Sequence, residues 1–152
     1  WAHISTGLRD MRARLAEGKP QSGLWDLKRG AGGLQDIELV AQGMALMQCC
    51  REGATAAQLH SAQSGQAPVK ADFARLARSH DCLSDLRLLH HLICGTDVQD
   101  EAFAEGGLAR LRRIMQMGPE VDFKQMITEH RAQCEDVIDQ ILGQSEGRGN
   151  EG

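Results

Sequence analysis

The sequence predicts an all-α protein, an up-down bundle of about five to six helices with no sheet. Three observations indicate this class. Aromatic residues make up only 3% of the 152 residues and tyrosine is absent, so the core must consist of aliphatic side chains, which suits helix packing. β-Branched residues are scarce and strong helix formers dominate. Apolar residues also recur at helical spacing between segments that contain glycine or proline.

The first helix is predicted over residues 5–17, because Ser5 or Thr6 can cap it and apolar side chains form one face. That face consists of Leu8, Met11 and Leu15. The basic residues of the helix are Arg9, Arg12 and Arg14. From the residues alone, we interpret these arginines as a solvated face.

A loop over residues 18–33 leads into the second predicted helix, over residues 34–51. Gly43 within that helix indicates close packing against another helix. A shorter helix is predicted over residues 56–63, with Thr55 as its cap. The apolar residues of the second helix are Leu34, Ile37, Val40, Ala41, Met44 and Met47.

The longest predicted helix runs from Val69 or Lys70 to about Cys94 and stops at Gly95. Its length and apolar content indicate a central position in the bundle. The residues expected to face inward are Phe73, Leu76, Ala77, Leu83, Leu86, Leu89, Leu92 and Ile93.

The last two helices are predicted over residues 106–117 and 123–142. Gly118 and Pro119 end the former, and Asp122 caps the latter. The inward residues are expected to be Leu108, Leu111, Ile114 and Met115, then Met126, Ile127, Val137, Ile138 and Ile141. The residues expected to face outward are Arg110, Arg112 and Arg113.

The composition excludes several functional classes. The net charge is −4, whereas a general nucleic-acid-binding protein is usually basic, so we expect no nucleic-acid partner. No apolar run approaches the roughly 20 residues that span a bilayer, and no signal peptide is visible, so we expect a cytoplasmic protein without membrane contact. The five cysteines are odd in number and form no C-x-x-C pair, which indicates reduced thiols.

Metal ligands are also not arranged as a site in the sequence. His130 and Cys134 are four residues apart and could bind zinc, but no second pair at a matching spacing accompanies them. His90 and His91 are adjacent, so on a helix they point about 100° apart. We therefore predict no metal site in this chain.

The most informative stretch is residues 25–42, where three glycines precede the second helix. Gly30, Gly32 and Gly33 lie within four residues of one another, which indicates positive φ or close approach of another group to the backbone. A glycine-rich loop before a helix leaves amide N–H groups unpaired, and the helix dipole adds positive potential. The pattern predicts an anion site, most simply one for phosphate.

Charged residues surround these glycines. Lys28 and Arg29 would add two positive charges to the anion site. In the alternative interpretation the glycines only form a tight loop, and the two cations are solvated or paired with Asp36 or Glu38. No Walker-type G-x-x-x-x-G-K-[ST] pattern is present to decide between these interpretations.

If the predicted phosphate site took part in phosphoryl transfer, two or three carboxylates would hold Mg²⁺ there, usually as Asp-x-Asp on a strand, where alternate residues share one face. The sequence contains no Asp-x-Asp. Asp36 and Glu38 come nearest, but on a helix they lie about 200° apart. We therefore expect no catalytic residue in this chain.

The stretch from Asp26 to Glu38, D-L-K-R-G-A-G-G-L-Q-D-I-E, resembles the D-[IL]-K-x-x-x-G-G-[IL]-x-D-I-E signature of bacterial glutamine synthetase adenylyltransferases. Residues 8–15, L-R-D-M-R-A-R-L, resemble the V-R-x-M-R-x-K-M helix that precedes this signature. Uridylyltransferases of the PII protein carry a related K-x-G-x-G-G-L-R-D-L, but the W-D-L-K lead-in and D-I-E favour the adenylyltransferase. Gln35 and Leu39 depart from the common residues of the signature, without touching its Lys, Gly-Gly or Asp-x-Glu positions.

The resemblance implies a helical domain that follows a nucleotidyltransferase domain and covers its nucleotide cleft. The parent enzyme would use ATP and Mg²⁺ to transfer AMP to a tyrosine of glutamine synthetase and so regulate nitrogen assimilation, while a paralogous half removes it. This chain alone would be inactive. Its implied partners are its own nucleotidyltransferase domain, glutamine synthetase and the PII protein. As an alternative to a solvated face, the resemblance implies that one or more of Arg9, Arg12 and Arg14 faces the nucleotidyltransferase domain. The implied nucleotide-facing candidates are Lys28, Arg29, Gly30, Gly32, Gly33, Asp36 and Glu38, of which only one of the last two is expected to face the cleft.

Two other hypotheses remain. The domain is either a non-catalytic module that docks glutamine synthetase or PII, or the helical domain of a PII uridylyltransferase. Because the chain starts at Trp1 without methionine, we expect a part of a longer protein. We expect a helical domain over residues 1–143 and a disordered C-terminal tail over residues 144–152.

Overall fold

The computed structural model describes residues 1–48, 53–65, 69–95 and 105–143 of the chain. Within these ranges the protein consists of six α-helices joined by turns and loops, and it contains no strand. The predicted all-α class is therefore confirmed. The helices are α1 (Ala2–Gly18), α2 (Leu34–Gln48), α3 (Thr55–Ser64), α4 (Phe73–Cys94), α5 (Glu105–Ile114) and α6 (Phe123–Gly143).

Helices α2 and α4 are the two central helices of the bundle, so the predicted central position of the longest helix is confirmed. Among the described residues α2 packs against α1, α3, α4 and α6, and α4 packs against α2, α3, α5 and α6. The core is mainly aliphatic, as the composition predicts, and each fully buried Leu or Ile contributes about 1.5–3 kcal/mol through apolar burial. Its largest fully buried side chains are Phe73, Leu27, Ile37, Met44, Leu59, Leu76, Leu83, Leu86, Leu111, Ile127, Ile138 and Ile141.

The close contact between α1 and α2 depends on Gly43. A Cβ atom added at Gly43 would lie 2.6 Å from Cδ1 of Leu8, which is closer than two carbon atoms approach in a packed core. The prediction that Gly43 permits close helix packing is confirmed. The two helices meet here because glycine leaves room for the leucine.

Several predicted helix starts are wrong, because the capping residues differ from those expected. Helix α1 already begins at Ala2, and the hydroxyls of Ser5 and Thr6 donate to the Ala2 carbonyl at 3.0 and 2.9 Å instead of capping the helix. Helix α3 includes Thr55, and no side chain caps it. Helix α4 begins at Phe73 because Asp72 is its cap.

The fifth helix ends earlier than predicted and is oriented differently. Gln116 has a φ of 55°, in the left-handed region, so α5 stops at Ile114 instead of Met117. Arg112, which was expected to face outward, is half-buried and donates to the Val121 carbonyl at 3.1 Å. Three residues expected to face inward are exposed, namely Met11 at 46%, Leu92 at 73% and Ile114 at 49%.

The last helix agrees with its prediction. Asp122 caps α6 by accepting from the backbone N–H groups of Lys124 and Gln125 at 2.8 and 3.3 Å. Helix α6 ends at Gly143, one residue beyond the predicted end. The predicted C-terminal end of the second helix and the predicted tail over residues 144–152 lie outside the described residues. None of the described helices combines the length and apolar character that crossing a bilayer requires.

Candidate functional site

The glycine-rich loop before α2 has the backbone that its sequence predicts. Gly30 and Gly32 have φ values of 85° and 66°, which an L-residue rarely adopts. A Cβ atom at Gly32 would overlap the carbonyl oxygen of Arg131, and one at Gly33 would lie 2.9 Å from the carbonyl oxygen of Lys28. Both expected reasons for glycine, positive φ and close approach, are therefore present.

One buried side chain of α6, that of Arg131, binds this loop from the interior of the protein. Arg131 is only 8% exposed, and its guanidinium donates to three loop carbonyls. Nη1 donates to Asp26 at 3.0 Å, Nε to Ala31 at 3.3 Å, and Nη2 to Arg29. Nη2 also donates to the Gln21 side chain at 3.1 Å. Every nitrogen of the guanidinium thus binds the segment between α1 and α2.

Sequence reasoning missed Arg131, although a signal was present. The buried residues of α6 include Ile127, Arg131, Cys134 and Ile138, which recur at helical spacing. An arginine within such an apolar stripe requires buried acceptors. Burial lowers the pKa of the Arg131 guanidinium, and the Asp26 carboxylate opposes this effect. The guanidinium stays charged at neutral pH.

The carboxylate of Asp36 occupies the anion position of the loop. Asp36 is 8% exposed, and its Oδ2 accepts from the Gly32 N–H at 3.1 Å and from Nε of Arg12 at 2.9 Å. Arg12 continues to Asp139 on α6, where Nη1 lies 2.6 Å from Oδ1. Burial alone would lower the pKa of the Arg12 guanidinium, but the carboxylates of Asp36 and Asp139 outweigh it and raise the pKa. This ion-pair network joins α1, α2 and α6.

The expectation of unpaired amides at the start of α2 is wrong. Each backbone N–H from Gly32 to Ile37 has an acceptor within the chain. Asp36 takes the first of them, and loop carbonyls or the Gly33 carbonyl take the rest. The helix N-terminus is therefore already satisfied, so an external anion would have to meet side chains instead of backbone amides.

The two cations of the loop differ in their surroundings. Nε of Arg29 lies 3.5 Å from Oδ2 of Asp26, so Arg29 pairs with Asp26 and not with Asp36 or Glu38. Lys28 is exposed, and its ammonium group forms no ion pair with the described residues. Glu38 is half-buried, and its carboxylate likewise forms no hydrogen bond or ion pair in the described part of the chain. The predicted candidates thus do not converge on a single point.

Trp25 anchors the start of the signature to the bundle. Its buried ring stacks on His90 of α4, with ring centroids 5.2 Å apart and planes 11° apart. It also lies 6.2 Å from the ring of Phe123 on α6. Burial and the neighbouring His91 lower the pKa of His90, which favours the neutral ring.

A cavity opens between α1 and the glycine-rich loop. Its volume is about 380 Å³, within the range of small-molecule sites. Its charged lining residues are Arg9, Arg12, Lys19, Asp36 and Glu135, and Gly30 and Ala31 supply loop backbone. Of the predicted candidates, the cavity therefore includes Gly30 and Asp36.

No three potential metal ligands come together among the described residues. His130 and Cys134, the pair considered for zinc, face the interior of the bundle, and Nδ1 of His130 lies 2.9 Å from the Ser79 hydroxyl. Asp36 is occupied by Arg12 and Gly32, so it does not converge with Glu38. The residues present thus do not fit a magnesium site formed by this chain alone.

Comparison with known protein families gives one match that covers most of the chain. The model of the family described as GlnD PII-uridylyltransferase matches residues 9–142. The matched segment includes the signature loop, Arg12 and Arg131. No solved structure matches the chain.

Curated proteins similar to this chain carry a different name. A bifunctional glutamine synthetase adenylyltransferase/adenylyl-removing enzyme from Rhodopseudomonas palustris (strain HaA2) is 29% identical over 154 residues, which cover 93% of this chain and 15% of that protein. Proteins of the same name from Bradyrhizobium sp. strains BTAi1 and ORS 278 are 46% identical over 44 residues, which cover 29% of this chain and 4% of theirs. The chain therefore spans only a small part of these relatives.

Proposed function

The chain belongs to the family described as GlnD PII-uridylyltransferase, and on this basis we propose that it is the helical domain of a nucleotidyltransferase. We propose further that the parent enzyme transfers AMP from ATP to a tyrosine of glutamine synthetase. The names of the curated relatives support this choice of reaction. The domain covers the nucleotide cleft of a neighbouring nucleotidyltransferase domain and is inactive alone.

The observation that carries this proposal is the arrangement of the signature. Two of its carboxylates, those of Asp26 and Asp36, are buried and accept hydrogen bonds from loop amides, whereas Lys28 is exposed. Such a structure presents one cation on a fixed backbone. A lysine ammonium is a compact charge suited to a phosphate oxygen. Arg29 and Gly30 are half-buried beside it and belong to the candidate surface, whereas the buried Gly32 and Gly33 shape the loop beneath it.

The chemistry of transfer has to come from the neighbouring domain. ATP with Mg²⁺ would be held there, because this sequence lacks Asp-x-Asp and its signature carboxylates do not converge. The part played by this chain is to orient the nucleotide and exclude water from the cleft. Of the two signature carboxylates, Glu38 is the one that faces the cleft in this proposal, because Asp36 is already engaged.

The test is the substitution Lys28→Ala in the full-length protein that contains this chain. We expect the KM for ATP to rise about tenfold, since a charge-assisted hydrogen bond contributes about 1.5–3 kcal/mol. The melting temperature should not change, because the Lys28 side chain is exposed and forms no ion pair with the described residues. Lys124→Ala, on the exposed surface of α6, is the matched control. Unchanged ATP binding and turnover in Lys28→Ala would contradict the proposal.

The description of the matched family, PII-uridylyltransferase, supports a second reaction, uridylyl transfer to PII. The same full-length protein can be incubated with radiolabelled ATP or UTP, and with glutamine synthetase or PII as the acceptor. Labelling of glutamine synthetase from ATP supports our proposal. Labelling of PII from UTP replaces it with the uridylyltransferase assignment.

A docking role is the third hypothesis, and exposed apolar side chains of α4 and α5 favour it. Leu88 and Ile114 are 58% and 49% exposed and border a shallow cavity of about 280 Å³. Pull-down of the chain with glutamine synthetase and with PII tests this role. Binding that Leu88→Ser abolishes, in a full-length protein whose nucleotide transfer is unaffected, would show that docking is separate from the cleft.

A further inference from the structure

Three carbonyl groups of the signature loop turn toward the interior of the protein and meet at one guanidinium. They belong to Asp26, Arg29 and Ala31, and all three accept hydrogen bonds from Arg131. Buried carbonyls need donors, and a loop outside regular secondary structure has few of its own. The loop thus depends on a donor set from a residue 100 or more positions away in the chain.

Only arginine among the side chains suits this arrangement. Its Nε, Nη1 and Nη2 diverge in one plane, and here each reaches a different carbonyl. A lysine at position 131 would keep the positive charge but would present all its donors from a single nitrogen. Arg131 therefore defines the relative positions of the three carbonyls as well as satisfying them.

The charge of Arg131 is balanced by the same signature. The carboxylates with the largest electrostatic effect on it are those of Asp26 and Asp36, both of which also accept from loop amides. The backbone of α6 contributes too, because the carbonyl oxygen of Arg131 fills the space that a side chain at Gly32 would need. Loop and helix thus fit each other in hydrogen bonding, charge and shape.

Lys28 lies between two of the residues that Arg131 holds. The Asp26 carbonyl precedes it and the Arg29 carbonyl follows it, and its own carbonyl accepts from the Gln35 N–H at 3.0 Å. The backbone of Lys28 is therefore fixed on both sides, although its side chain is exposed. A change that weakens the hydrogen bonds of Arg131 would therefore allow the Lys28 backbone, and with it the Lys28 ammonium group, to move.

We infer that Arg131 is a positioning residue for nucleotide binding, which acts through the loop backbone on Lys28 and touches no ligand itself. This inference rests on the proposed function, in which Lys28 meets a phosphate. It adds Arg131, which lies outside the signature, to the residues that determine nucleotide binding. It also makes nucleotide affinity depend on the position of α6 against the loop.

The decisive experiment is a double-mutant cycle in the full-length protein, with Arg131→Lys and Lys28→Ala alone and together. Arg131→Lys should raise the KM for ATP about fivefold with little change in kcat, the size expected for one imperfect hydrogen-bond set. In the Lys28→Ala background the same substitution should have no further effect on KM. A residue with a purely structural role would give additive effects instead.

Controls keep the result interpretable. Arg113→Lys, on the exposed side of α5, should leave KM unchanged. If Arg131→Lys does not fold, Gln21→Leu removes one partner of Nη2 and should raise KM in the same direction but less. Additive effects in the cycle, or an unchanged KM in well-folded Arg131→Lys, would overturn the inference.

Hydrogen exchange separates this inference from the proposed function. In the 152-residue chain without ligand, Arg131→Lys should speed exchange of the amides from Arg29 to Gln35 while those of α3 keep their rates. If Arg131→Lys changes the exchange rates of the loop amides and the α3 amides equally, the inference is overturned, whatever the nucleotide-transfer activity of the variant. If the wild-type protein transfers no nucleotide but the loop responds as expected, the proposed function fails and the loop-holding role of Arg131 stands.

Discussion

Two carboxylates of the signature, those of Asp36 and Glu38, lie two positions apart and have different roles. Asp36 is buried, and it binds Gly32 and Arg12 within the protein. Glu38 lies on another side of α2, and its carboxylate forms no hydrogen bond or ion pair among the described residues. The helical period separates them, as the sequence predicts, but only the packing of α1 and α6 determines which of them is engaged internally.

A substitution at each carboxylate tests this division of roles. Asp36→Asn removes the negative charge opposite Arg12, so we expect the free energy of unfolding to fall by about 1–3 kcal/mol. Glu38→Gln is the matched control and should change it by less than about 0.5 kcal/mol. Urea unfolding followed by circular dichroism measures both. Equal losses for the two variants would show that Asp36 has no special structural role.

At the scale of elements, the apolar spacing of the sequence predicts local structure better than it predicts contacts between residues far apart in the chain. The all-α class, the helix segments and the positive φ at Gly30 and Gly32 follow from local patterns and are observed. The amide acceptors at the start of α2 and the donors of Arg131 depend on which helices are neighbours. Local spacing can place Arg131 within the apolar stripe of α6, but it cannot identify the groups that the arginine binds or the acceptors of the loop amides, so the expectation of free amides is wrong.

The helix boundaries show the same limit on a smaller scale. The sequence predicts that α4 starts at Val69 or Lys70, but the helix begins at Phe73, because the Asp72 side chain caps it by accepting from the Arg75 N–H at 2.9 Å. Exposure of Leu92 at the other end has a related cause, since α4 carries apolar residues on several sides and its neighbours cover only some of them.

The Asp72 cap can be tested on its own. Asp72→Ala removes the acceptor for the Arg75 N–H and should lower the free energy of unfolding by about 1 kcal/mol. Asp136→Ala, at an exposed position within α6, removes the same charge without a cap and serves as control. Thermal unfolding of both variants gives the comparison. A loss at Asp136 as large as that at Asp72 would assign the effect to net charge.

For the molecule as a whole, the buried His90 and the half-buried His130 connect the stability of the bundle to pH. His90 stacks on Trp25, which directly precedes the signature, and His130 lies beside the Ser79 hydroxyl between α4 and α6. Burial lowers the pKa of both rings, with His91 contributing at His90 and with Glu129 opposing the effect at His130. The folded protein therefore favours the neutral rings more than the unfolded chain does.

This difference fixes the sign of the pH dependence. An unfolded histidine has a pKa of about 6.5, so the stabilisation is complete above that value. As the pH falls below it, the unfolded chain takes up protons first, and stability declines until the folded rings also protonate. We expect the free energy of unfolding to decrease between about pH 7.5 and 5.5. Urea titrations at several pH values would measure this decrease.

Variants assign the decrease to particular rings. His130→Asn keeps a polar partner for Ser79 but does not titrate, so it should flatten the pH dependence, whereas the exposed His3→Asn should leave it unchanged. Because Trp25 stacks on His90, its fluorescence should report loosening of the signature loop over the same pH range. If His130→Asn and His3→Asn show the same slope as the wild-type protein, His130 is not responsible. If the tryptophan signal also stays constant, protonation does not reach the signature loop.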